Sequence, residues 1–175
     1  MKIIKKENVY KGYYQLNRLL VKSTKTGKFS ELEQFATPNA VAILIYNTQK
    51  NKIVLVEQFR AGVEGQLIEI AAGKIDDKDY SPIETAKKEI IEETGYIVDS
   101  IIPIHEFYTS PGPMTEKMLL YYAEVSKQVN SGGGLKDENE EIKILHISPK
   151  KFEATSFMDA KTIIAQLYWK LLLKV

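Results

Sequence analysis

Residues 73–96 read G-K-I-D-D-K-D-Y-S-P-I-E-T-A-K-K-E-I-I-E-E-T-G-Y, and their punctuation predicts a helix. Ser81 and Pro82 supply an N-cap and a first-turn proline, Glu84 stands at capping-box spacing from Ser81, and Gly95 closes the run. Near its end Glu89, Glu92 and Glu93 recur at i, i+3 and i+4, one face of a helical turn. Carboxylates crowded in that way repel one another unless cations neutralise them, and an oxygen-rich cluster suits hard ions such as Mg²⁺ or Mn²⁺. The same three glutamates, taken alone, also describe a solvated acidic helix face.

Outward from this helix the pattern is mostly extended. Residues 39–46 (N-A-V-A-I-L-I-Y) and 52–58 (K-I-V-L-V-E-Q) are apolar runs around a polar turn at 47–51, which predicts a hairpin of buried strands. Residues 66–72 read as one short strand feeding the Gly73 loop, and further strands are expected near 98–106, 117–125 and 142–147. Residues 2–35 read as strands separated by turns; their aromatics Tyr10, Tyr13, Tyr14 and Phe29 are read as packing residues ahead of platforms for a base. Prolines and a glycine stiffen the loop at 108–113. Ser148 and Pro149 begin a short helix. Asp159 caps a last amphipathic helix, expected to cover the strands, whose Ile163, Leu167 and Leu171 recur on one face. Mixed strands enclosing one central helix predict an α+β fold.

Composition sets the outer bounds. A chain of 175 residues is long enough for one real core. Lys plus Arg number 24 against 23 Asp plus Glu, a balance that does not suggest a nucleic-acid or membrane-surface partner. The absence of cysteine excludes disulfides, thiolate zinc sites and cysteine nucleophiles. Residues 1–14 hold no apolar run of signal-peptide type, and residues 167–175 are too short and too interrupted by lysine to span a bilayer. A cytoplasmic protein with no nucleic-acid or membrane partner is expected. His105 and His146 are isolated, so neither a zinc site nor a catalytic triad is expected from them.

Ala71-Ala72-Gly73 followed by K-E-I-I-E-E-T-G-Y at 88–96 resembles the signature of the Nudix hydrolases, G-x5-E-x7-R-E-U-x-E-E-x-G-U with U aliphatic. The second half matches closely. In the first half one extra residue lies in the loop, the upstream glutamate position falls on Asp79 or Tyr80, and Lys88 stands where arginine is usual. Lysine keeps the charge but lacks the planar fork. Further segments in the same order resemble the ADP-ribose and nucleoside diphosphate sugar branch. They are Glu57-Gln58-Phe59-Arg60, Glu69-Ile70-Ala71-Ala72-Gly73, Ser110-Pro111-Gly112 with Thr115-Glu116, residues 137–142, and Asp159-Ala160-Lys161-Thr162.

The resemblance implies a Nudix fold: mixed sheets and a central catalytic helix in an α/β/α sandwich at 39–175, preceded by a β extension at 1–38 that crosses to the partner of a homodimer. It implies a Mg²⁺-dependent hydrolase (Mn²⁺ as substitute), with about two or three ions per site. Glu89 and Glu93 are the implied main metal ligands, with Glu92 assisting and the Ala72 carbonyl a further ligand. Glu138 is the implied general base, Glu140 its reserve, and Glu92 completes the catalytic carboxylates. On the substrate side stand Arg60, Glu116 and Lys88, the last also steadying the glutamates by charge. ADP-ribose is the first expected substrate, giving AMP and ribose 5-phosphate. GDP-mannose or another nucleoside diphosphate sugar is the alternative, and a nucleotide-binding module without catalysis is a further one.

Overall fold

Apolar runs without alternation must be covered on both faces of a strand, and that requirement places 40–47 and 52–60 at the centre of the larger sheet. A computed structural model describes residues 1–75, 80–135 and 141–172. Its strands are β1 (Lys2–Lys11), β2 (Gln15–Lys22), β3 (Phe29–Ala36), β4 (Ala40–Asn47), β5 (Lys52–Arg60), β6 (Gly65–Glu69), β7 (Ala71–Lys74), β8 (Tyr96–Tyr108), β9 (Lys117–Gln128) and β10 (Lys143–Ile147). The helices are α1 (Pro82–Glu89), continued by a π-helical turn at Ile90–Thr94, then α2 (Pro149–Ala154) and α3 (Ala160–Leu172). The fold is α+β, as the sequence predicts.

The chain forms two compact units. The first comprises Met1–Asn39 with Phe107–Met118, the second Ala40–Glu106 with Leu119–Val175. In the first, β1, β2 and β3 form an antiparallel sheet in that order. The loop after β8 is stitched to the end of β3: Phe35 N donates to Pro113 O at 2.7 Å, and Thr115 N to Phe35 O at 3.1 Å. Tyr10, Tyr13, Tyr14 and Phe29 are all exposed. Within this unit they are therefore not the packing residues the sequence suggests: β1 is exposed along its whole length, and no second layer of the unit covers these rings.

In the second unit the path runs β10-β5-β4-β9-β8. The predicted hairpin is present, but β4 and β5 pair only from Ile45–Val54 to Asn47–Lys52. Beyond that point they diverge, and the next segment fills the gap from both sides. There β6 pairs with β5 from Val56–Glu69 to Arg60–Gly65, and β7 pairs with β4 from Ala40–Lys74 to Ile43–Ala71. The single strand expected at 66–72 is thus two strands, a correction whose cause is a contact distant in sequence. The amide of Ile70 donates to Thr162 Oγ1 on α3 at 2.9 Å, outside the strand ladder, and the chain changes partner there.

Helix α1 packs on β4 and β7, setting Ala86 and Ile90 into a core with Val41, Ile43, Ile45, Ala71, Tyr96 and Ala123. At its start the Glu84 carboxylate accepts from the Ser81 amide at 2.7 Å, the reach-back half of the expected box. The Ser81 hydroxyl bond, followed by the amide bond, holds the Glu84 carboxyl below the usual range. At its end Gly95 is left-handed (φ 73°), and its amide donates to Ile91 O at 2.9 Å.

Helix α3 lies the other way round from its apolar pattern. Thr162, Ala165, Gln166 and Trp169 are buried, while Ile163, Leu167 and Leu171 are exposed. Polar anchors decide the rotation. Asp159 Oδ2 accepts from Thr162 N at 2.9 Å, Gln166 Nε2 donates to Thr155 O at 2.8 Å, and the Trp169 ring lies 5.2 Å from that of Tyr46. Among the described residues no helix is long and apolar enough to cross a membrane.

A side chain at position 95 would be held in the left-handed region, with its Cβ 2.1 Å from Asn130 O. Gly95→Ala is expected to lower the unfolding free energy by about 2 kcal/mol or more, read by urea denaturation. An unchanged midpoint would show that the helix end relaxes without cost.

Candidate functional site

The divergence of β4 and β5 brings the backbone of β7 under the end of α1. Gly73 is where they meet: a Cβ there would lie 1.9 Å from the Glu89 carboxylate carbon, so only glycine lets that carboxylate settle on the strand. One residue earlier, Ala72 N donates to Glu93 Oε2 at 3.2 Å, and Glu93 is buried at 3 % exposure. Two glutamates thus converge on residues 72 and 73. Glu92 Oε1 lies 3.8 Å from Lys88 Nζ, one turn back on the helix. Glu92 and Glu93 lie within a π-helical turn, in which the hydrogen bonds close one residue later than in an α-helix.

The carbonyls at the end of that turn are also satisfied. Gly133 N donates to Glu93 O at 2.9 Å, Gly134 N to Glu92 O at 3.1 Å, and Gln128 Nε2 to Thr94 O at 3.0 Å. The glycine run therefore caps the glutamate-bearing helix. Beside it lies a cleft of about 470 Å³ lined by Glu57, Gln66, Gly133, Glu141, Ile142 and Lys143. A separate hollow of about 370 Å³ between β8 and β9 contains none of the expected site residues.

Arg60 stands at the end of β5, on the strand that pairs with β6. Its Nε donates to Glu69 Oε1 at 2.7 Å, and Glu69 is 1 % exposed. The other oxygen of Glu69 accepts from Lys161 Nζ, which also contacts Asp159 Oδ1 at 3.0 Å. Burial alone would lower the Arg60 pKa. The Glu69 charge and hydrogen bond, then Glu93 and Asp159, outweigh it, so the guanidinium is held charged more firmly than usual. The influence of Glu93 on Arg60 ties this network to the end of α1. Glu69 and Lys161 were visible in the sequence only as segments of a resemblance, and Asp159 also as the cap of the last helix. An acidic residue inside an otherwise apolar strand, as in L-I-E-I-A-A, is the signal that a buried partner must exist.

The remaining expected residues fall elsewhere. Glu116 belongs to the first unit, and its carbonyl accepts from Thr109 N at 3.4 Å. Glu138 and Glu140 lie outside the described residues, as does Asp79. His146 is paired with Tyr96 OH at 2.9 Å. Burial, then Lys50 and Lys52, depresses its pKa, which suits a neutral structural imidazole.

Among the described residues no three acidic or histidine side chains enclose an ion unaided. The donor set at residues 72–73 still suits a hard cation. Glu89 and Glu93 bring carboxylate oxygens to one strand, and the Ala72 carbonyl is an oxygen donor of the same kind.

Comparison with known proteins gives a consistent result. Residues 36–167 match the family model described as the NUDIX domain. The GDP-mannose pyrophosphatase of Cronobacter sakazakii (strain ATCC BAA-894) is 34% identical over 177 residues, covering 94% of this chain and 92% of its own. That of Escherichia coli (strain K12) is 34% identical over 179 residues, covering 95% and 93%. A solved structure described as an ADP compounds hydrolase superposes with a TM-score of 0.81 over 99% of this chain and 94% of its own, at 19% identity, and so shares the fold.

Removing the carboxylate at 69 would leave Arg60 and Lys161 without their shared counter-charge. Glu69→Ala is expected to cost about 3–5 kcal/mol of stability by denaturant unfolding, the scale for breaking a buried ion pair. A cost below about 1 kcal/mol would mean that water replaces Glu69 freely.

Proposed function

The chain belongs to the Nudix family, and from that premise we propose that it hydrolyses the diphosphate linkage of a nucleoside diphosphate sugar in a divalent-ion-dependent reaction. It is a hydrolase acting on pyrophosphate bonds. The observation that carries the site assignment is the convergence of Glu89 and Glu93 on the backbone at 72–73. GDP-mannose is the favoured substrate, because the relatives that carry this name are 34% identical along nearly the whole chain. ADP-ribose is the second, supported by the resemblance of the segments around Arg60 and Glu69 to that branch. The products are a nucleoside monophosphate and a sugar phosphate.

A diphosphate repels an incoming water or hydroxide by its charge, so positive charge must be placed against it. Glu89, Glu93 and the Ala72 carbonyl would hold Mg²⁺, with Mn²⁺ as substitute and about two or three ions in all. A bound ion supplies charge neutralisation and a more acidic water. Lys88 keeps Glu92 in place by charge, and Glu92 assists the other two glutamates. Arg60 offers an always-charged donor to a phosphate oxygen. Glu138, with Glu140 in reserve, is the proposed base that takes the proton of the attacking water. Glu116 is proposed to reach the sugar hydroxyls.

The same reading includes a cytoplasmic homodimer. The 1–38 extension is proposed to cross to the partner. The exposed apolar side chains of the first unit, among them Ile3, Ile4, Phe29 and Leu32, support that arrangement, because single strands rarely leave so many open to water.

A panel of GDP-mannose, ADP-ribose, UDP-glucose and NADH with Mg²⁺, analysed for released monophosphate, tests the reading. GDP-mannose is expected to turn over fastest and to yield GMP with mannose 1-phosphate. No turnover of any nucleoside diphosphate sugar would refute it. Glu138→Gln should lower kcat about 10²–10⁴-fold, and a wild-type rate would reassign the base. Gly73→Ala should fold with a near-normal melting temperature, since its clash is with the flexible end of Glu89. Its kcat should fall by about tenfold or more, as displaced catalytic groups do. Full activity would separate Glu89 from the chemistry.

A further inference from the structure

A guanidinium beside a carboxylate ordinarily engages it through two parallel N–H bonds. Arg60 does not do so. Only its Nε contacts Glu69, at 2.7 Å to Oε1, and among the described residues neither Nη group has a partner. On the opposite side of the carboxylate Lys161 Nζ occupies Oε2. Lys161 is itself held. Its side chain is 11 % exposed, and Asp159 Oδ1 takes its second contact at 3.0 Å. Two cations divide one buried carboxylate, one oxygen each.

We propose that Lys161 is a positioning residue for substrate binding: by occupying Oε2 of Glu69 it limits Arg60 to a single contact and leaves the Nη edge of the guanidinium available to a phosphate. The inference rests on the reading that Arg60 meets the diphosphate, and it adds a second residue, remote from substrate, that decides how Arg60 is presented. Loss of the ammonium leaves Oε2 buried without a partner, a costly state. The nearest remedy is Arg60, which turns to grip both oxygens and withdraws one Nη from the open side. Arg60 is 40 % exposed and free to make that turn. Asp159 meanwhile keeps its bond to Thr162 N, so the start of α3 survives the change.

The sequence makes this directly observable. It contains two arginines, Arg18 and Arg60, so Arg18→Lys leaves Arg60 as the sole arginine signal. In ¹⁵N-arginine-labelled protein, Lys161→Met in that background should slow the exchange of the two Nη groups about tenfold, the scale of one added charge-assisted hydrogen bond. In kinetics with the nucleoside diphosphate sugar that the wild type splits best, Lys161→Met should raise KM about tenfold with kcat nearly unchanged. Lys161→Arg should restore KM. In an Arg60→Ala background Lys161→Met should add nothing, because the effect passes through Arg60. Unchanged Nη exchange would overturn the proposal, as would a KM penalty equally large without Arg60. If Lys161→Met does not fold, Lys161→Gln, whose amide still reaches toward Oε2, should shift exchange and KM in the same direction by less; no shift overturns the proposal again. A wild-type chain that splits no such sugar fails the functional reading, while the Nη exchange still decides the role of Lys161.

Discussion

A carboxylate buried as deeply as Glu69 must be compensated, and the compensation shapes everything around it. Arg60 comes to it from β5 and Lys161 from α3, and Asp159 completes the set. Next to it the amide of Ile70 leaves the strand ladder for Thr162 Oγ1. One short segment is thus fixed to a strand on one side and to a helix on the other. It changes sheet partner at that point, from β5 to β4. The change of partner carries residues 72 and 73 beneath the end of α1. A buried ion network of this kind adds little net stability and its strength is geometric definition, because removing either partner is far more costly than the pair is favourable.

The helix end meets that segment under a second constraint. Gly73 leaves room for the Glu89 carboxylate, and Ala72 N gives Glu93 a hydrogen bond. The π-helical turn and its cap from Gly133, Gly134 and Gln128 fix the backbone that bears Glu92 and Glu93. The carboxylates are therefore set by backbone on both sides. Such rigidity suits a site that must hold charged groups before substrate arrives, since little reorganisation is left to be done.

Much of this was legible in the sequence. Ser81-Pro82 and Gly95 mark the helix because their roles are local, and the hairpin of 40–47 with 52–60 follows from apolar runs around a polar turn. What escaped was settled by contacts distant in sequence. Nothing local reveals that Ile70 bonds to Thr162, so 66–72 reads as one strand. Periodicity alone turns Ile163, Leu167 and Leu171 inward, yet Thr162 and Gln166 rotate α3 the other way. Tyr10, Tyr13, Tyr14 and Phe29 read as packing residues and lie exposed, because β propensity does not say whether a sheet has a second layer. The i, i+3, i+4 spacing of the glutamates assumed an α-helix, whereas Glu92 and Glu93 lie in a π-helical turn that only the structure reveals.

The end of α1 and the backbone of β7 are proposed to form one divalent-cation site. A titration of Mn²⁺ followed by electron paramagnetic resonance, comparing the wild type with Glu89→Gln/Glu93→Gln, decides whether they do. Saturable binding is expected of the wild type, and its loss in a folded double variant. Equal binding by the two proteins would contradict it.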